Sequence, residues 1–100
     1  MLTGKQRSFL RGLANKEKPI TQIGKAGLTV SFLEQLDLAL ESRELVKVTI
    51  LETALLDTKD TANEAAELLK AEYVQAIGNK FVLFRRSKNN PRIELPRPKK

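Results

Sequence analysis

One hundred residues with 41% hydrophobic content suit a single domain built around one modest core. The chain has no cysteine and no histidine, which excludes disulfides and thiolate metal sites and removes the usual neutral-pH proton shuttle, so catalysis is disfavoured. A formal charge of +6 points to a polyanionic partner, because neutralising phosphates releases counterions before any specific contact forms.

Thr3 opens a T-x-x-Q capping-box pattern with Gln6, and Phe9, Leu10 and Leu13 follow at helical spacing, so a first helix is expected over about residues 3–15. Charges interrupt this stretch, leaving no apolar run of signal-peptide or membrane length, and the expectation is a soluble, cytoplasmic chain without a membrane partner. After Pro19, "ITQI" reads as a short strand leading into "GKAG", with Thr29 or Ser31 available to cap the helix beyond. Phe32, Leu33, Leu36 and Leu40 mark that amphipathic helix, which should stop near Ser42 and carries Glu34, Asp37 and Glu41 on its opposite side. "ELVKVTIL" is β-branched and apolar and reads as a strand, followed by a loop at "LDTKD".

Thr61 and Glu64 suggest a second capping box, and Ala62, Ala65, Ala66, Leu69 and Tyr73 continue at helical spacing, the alanines allowing close approach to a sheet. "EYVQAI" and "KFVLFR" flank Gly78-Asn79, a dipeptide suited to a two-residue hairpin loop. The order is α-β-α-β-α-β-β: an α/β fold with a four-stranded mixed sheet and helices mainly on one face. Residues 1–86 form the domain, and residues 87–100, which lose periodicity and gain three prolines, read as a basic flexible tail.

The charge is unevenly spread. Residues 1–30 carry +5, residues 31–84 carry −5 and residues 85–100 carry +6, which predicts one side that seeks anions and one that avoids them. Asp57, Asp60 and Glu64 could in principle hold magnesium, but helix capping accounts for them, with Asp60, Thr61 and Glu64 at a helix start. Neither GxxxxGK[ST] nor GxGxxG occurs, so no nucleotide or dinucleotide cofactor and no small-molecule substrate is expected. The aromatic pattern of an RRM is missing as well, and Phe81 and Phe84 read as core residues.

"GKAG" asks for more than a turn. Bare backbone at Gly24 and Gly27 allows close approach of a phosphate, the following helix start presents unpaired N–H groups, and Lys25 adds a charge. A GxxG loop clamps the nucleic-acid backbone in KH domains. Upstream, Arg7 and Arg11 lie four apart on one helical face, where like charges repel unless something compensates.

Together "LTGKQRSFLRGLA", "KPITQIGKAGLT", the acidic helix after them and "ESRELVKVTIL" resemble the CRM domain, the chloroplast RNA splicing and ribosome maturation domain, in its standalone bacterial YhbY-like form, over about residues 2–85. The resemblance implies an RNA-binding fold similar to the C-terminal domain of a bacterial translation initiation factor, and association with large-subunit rRNA in a pre-ribosomal particle. The site it implies is the loop Gly24, Lys25, Ala26 and Gly27 with Arg7, Arg11, Lys16 and Lys18 as basic neighbours; Lys5, Arg85 and Arg86 are expected to belong to the same RNA-binding surface, in a non-enzymatic monomer. The competing reading is a protein–protein adapter that uses Glu34, Asp37 and Glu41.

Overall fold

Thr3 starts the first helix, α1 (Gly4–Ala14), through the expected capping box: its Oγ1 accepts the Gln6 N–H at 3.1 Å, and Gln6 Oε1 accepts the Thr3 N–H at 3.0 Å. In the computed structural model, which describes residues 2–96, this helix is followed by β1 (Thr21–Ile23), α2 (Val30–Arg43), β2 (Leu45–Ile50), a single 3-10 turn (Glu52–Ala54), α3 (Thr58–Leu69), β3 (Glu72–Ile77) and β4 (Lys80–Phe84). Thr29, rather than Ser31, caps α2, its hydroxyl accepting the Phe32 N–H at 3.0 Å. No helix among the described residues is long and apolar enough to cross a membrane.

Two details of the third helix differ from expectation. It begins inside "LDTKD", because Asp57 supplies the cap by accepting the Asp60 N–H at 2.9 Å, one turn ahead of Thr61, which is buried within the helix. It also ends at Leu69, where Lys70 turns left-handed at φ 54, so Tyr73 belongs to β3. Gly78 has φ 60 while Asn79 keeps a negative φ, the pattern of a type II′ hairpin turn.

The sheet has four strands in the order β1-β2-β4-β3, with β1 parallel to β2 and the other neighbours antiparallel, as expected for a mixed sheet. Strand alternation sends Val46, Val48, Ile50, Phe81 and Leu83 to one face, where they meet Leu36 and Leu40 of α2 and the alanines of α3. Leu45, Val74, Val82 and Phe84 face the other way, against Leu10 and Ala14 of α1. Two of the three helices thus share a face, and both phenylalanines are core residues.

Residues 87–96 do not form the free tail that the loss of periodicity suggested. Glu44, fully buried at φ 66, accepts the N–H groups of Ser87 at 2.8 Å and of Arg92 and Ile93 at 2.7 Å each. Glu41 accepts from the Ser87 hydroxyl and from the N–H groups of Lys88 and Asn89, while Ile93 and Leu95 pack onto the α1 side of the sheet. Residues 97–100 of the expected tail lie outside the described residues.

Burial works against the charge on Glu44, but the N–H groups of Ser87, Ile93 and Arg92, with the nearby Arg86 charge, outweigh it and hold the carboxyl below its ordinary value of 4.5. The Ser87 hydroxyl and the Lys88 and Asn89 N–H groups lower the Glu41 carboxyl likewise. A depressed folded pKa means stability that is full above the unfolded value and lost as pH falls through the folded one. Glu44→Ala is therefore expected to cost on the order of 2 kcal/mol by leaving buried donors unmatched, and removal of residues 87–100 should lower the melting temperature at neutral pH. Melting curves from pH 6 down to pH 3 should show the parent losing stability on acidification more steeply than Glu44→Gln.

Candidate nucleic-acid interface

The glycine loop is held at both ends. Ile23 is buried and its carbonyl accepts the Leu51 N–H at 2.9 Å, which anchors β1, and the Gly27 N–H closes the turn on the Gly24 carbonyl at 3.0 Å. Gly27 has φ 70, a left-handed conformation that favours glycine, so the turn itself explains this residue. Gly24 is different. Its φ is not positive, and a Cβ placed on it would meet only Leu51 Cδ1, at an ordinary 3.9 Å. The fold therefore accommodates a Cβ at position 24.

Lys25 and Ala26 are exposed at the tip of this turn. Thr29 satisfies the third N–H of α2, whereas those of Val30 and Ser31 have no acceptor within the helix, as at any helix start. Together with Lys25 they form a positive edge suited to an anion.

The expected basic residues separate into two groups. Lys5, Arg11, Lys16 and Lys18 are exposed, and Arg7 is half-buried with its Nε–H lacking an acceptor; all lie on or just after α1, and none forms an ion pair with a described residue. Arg85 and Arg86 share a cleft with Leu2 and Gln6 at the start of α1, away from the loop. The β1–β2 register puts the loop beside Ile50, whereas Arg85 continues β4 beside Glu44, at the other end of a strand spanning about 17 Å.

Arg85 is also occupied: its guanidinium donates to the Asp37 carboxylate at 2.6 Å and to the carbonyls of Leu69 and Asp37 at 2.9 Å each. It ties α2, α3 and β4 together. Arg86 is exposed but remote from the loop.

Two lysines join the basic side that the sequence reading left out. Lys47 alternates onto the α1 face of β2 and donates to the carbonyls of Ala14 at 3.1 Å and Glu17 at 3.3 Å. Lys80 starts β4 on the same face, exposed, opposite Thr49. The available signal was the alternation in "LVKVTI" and "KFVLF", which separates polar from apolar faces once the register is known. Opposite them, Glu34, Glu64 and Glu67 stand exposed on α2 and α3, while Arg86 and Lys88 of the last basic block line a cleft with Asp37 and Glu41 of α2.

The fold is a four-stranded mixed α/β domain with a glycine turn at a strand-to-helix junction and a basic helix on the face of the sheet opposite α2 and α3. The chain belongs to the CRS1/YhbY (CRM) domain family, whose pattern matches residues 2–85. It is 45% identical over 96 residues to "Probable RNA-binding protein YqeI" of Bacillus subtilis, covering 96% of this chain and 100% of that one. It is 36% identical to a protein of Haemophilus influenzae named "RNA-binding protein", with 96% of each chain covered. The solution structure of a hypothetical protein from Staphylococcus aureus superposes with a TM-score of 0.81 at 47% identity, covering 96% of this chain and 100% of that one.

The two glycines are expected to answer differently to the same methyl group. Gly27→Ala should cost about 1 kcal/mol of stability through left-handed strain, whereas Gly24→Ala should melt with the parent. Chemical denaturation of the two variants side by side measures the contrast.

Proposed function

We propose that this protein is a non-enzymatic RNA-binding protein that grips the phosphate backbone at Gly24, Lys25, Ala26 and Gly27, with Lys5, Arg7, Arg11, Lys16 and Lys18 extending the contact along α1. The observation that carries this reading is Gly24, at a strand-to-helix turn where a Cβ would meet nothing closer than Leu51 Cδ1 at 3.9 Å, so no close packing in the fold calls for a glycine there. The names of the Bacillus and Haemophilus relatives support RNA as the partner. The resemblance to the CRM domain supports a finer assignment: precursor rRNA of the large ribosomal subunit, bound during assembly by a cytoplasmic monomer. Phosphate contacts position a protein without reading sequence, so specificity on this reading comes from RNA shape.

The adapter reading has one observation in its favour, the exposure of Val30, Leu38 and Leu68 at 73%, 70% and 56% on the acidic side. Its charged residues are mostly committed: Asp37 to Arg85, and Glu41 to residues 87–89. Only Glu34 of the three is unoccupied among the described residues.

Two measurements separate the readings. Lys25→Glu and Arg11→Glu should each weaken RNA binding and reduce the slope of log affinity against log salt by about 0.7 to 0.9 per lost phosphate contact, while Glu34→Lys should not weaken it. Crosslinking in cells followed by sequencing should recover mainly large-subunit rRNA, and recovery of no RNA would favour the adapter.

A further inference from the structure

Helix α1 covers only half of its side of the sheet. Leu10 and Ala14 pack over Leu45, Val74, Val82 and Phe84, and α1 ends where Lys47 meets the Ala14 carbonyl. Beyond that point the register lines up Gln22, Thr49, Lys80 and Ile77 across all four strands. Alternation puts this row on the same face as Lys47 and Val82, with no helix above it. Gln22 and Lys80 are exposed, and Ile77 is 65% exposed, a large apolar side chain left in solvent among polar neighbours.

Three features make this row more than bare surface. It starts two residues before Gly24, so it adjoins the glycine loop directly. It crosses three inter-strand gaps, about 14 Å, enough to lay out a few nucleotides of an extended strand. And it borders a cleft of about 280 Å³ between the end of α1 and the hairpin, lined among others by Asn15, Lys47, Gln75, Ile77 and Lys80. The side-chain amides of Asn15 and Gln75 bond to no described residue, so both can meet the edge of a base. Ile77 offers an apolar surface for a base face, and Lys80 a charge for the adjoining phosphate.

We propose that this open half of the sheet binds unpaired nucleotides adjoining the phosphate at the glycine loop, with one base seated in the cleft beside Gln75 and Ile77. The inference rests on the RNA-binding reading above and adds a preference to it. Bases stacked within a duplex cannot reach the cleft, whereas those of a loop, bulge or free end can. The preferred ligand is thus RNA with a single-stranded segment, and the amides give the protein a means of discriminating bases that backbone contacts lack.

The test is an NMR titration of the isotope-labelled full chain with a short single-stranded RNA of mixed sequence and, separately, with a blunt duplex. The expected result is that both ligands shift the amides of residues 24–27 and of α1, and that only the single strand shifts Gln22, Thr49, Gln75, Ile77 and Lys80. The double variant Gln75→Ala, Ile77→Ala, altering side chains outside the buried core, should weaken single-strand binding about tenfold and leave duplex binding unchanged. Shifts at residues 24–27 and α1 with both ligands, but a silent sheet row, would overturn this inference and leave the RNA-binding reading standing. No shift with either ligand would overturn both.

Discussion

Lys47 holds the domain's layout together. Its ammonium group donates to the Ala14 and Glu17 carbonyls, and its own carbonyl accepts the Ile20 N–H at 2.9 Å. A helix end leaves carbonyls without partners and a partial negative charge, both of which a lysine ammonium answers. A single residue in the middle of β2 thus bonds to the last residue of α1, to the connection after it and to the residue before β1. With α1 stopped there, the far half of the sheet stays bare, and Lys16 and Lys18 emerge immediately ahead of the short strand that leads to the glycine loop.

That layout explains how a chain with a strongly acidic middle presents a basic side. The carboxylates of residues 31–84 fall mostly on α2, α3 and their connections, beneath the sheet, while the lysines of β2 and β4 alternate to the α1 side. Exposed positive charge on that side comes from α1 and Lys80, with Lys25 at the loop, and the acidic helices lie on the other face. Arg85 shows that a basic residue in a sequence run can be taken up by packing: it is held by Asp37 and ties α2, α3 and β4 together, while Arg86 and Lys88 in the same run stay exposed.

Features set by local chemistry were legible in the sequence. The Thr3–Gln6 box, the glycine hairpin and the strand alternation each require only neighbours a few residues away. Thr61 was misread as a cap because S/T-x-x-E also occurs inside helices, and Asp57 meets the same need a turn earlier. The docking of residues 87–96 was hidden because its acceptors, Glu41 and Glu44, lie more than forty residues upstream, and a segment that borrows its hydrogen bonds from a distant helix end has no periodicity of its own. The glycine loop was visible as a motif, but the difference between Gly27, which the turn needs, and Gly24, which it does not, required the backbone angles and the space around each residue.

The central claim is that Gly24 is bare for the sake of a phosphate. The most direct measurement is the affinity of Gly24→Ala for precursor rRNA at fixed salt, taken on protein shown to melt with the parent. The account predicts binding weaker by about tenfold, equivalent to about 1.4 kcal/mol, because the added methyl group keeps the phosphate from the backbone. A folded Gly24→Ala protein that binds as tightly as the parent would contradict it.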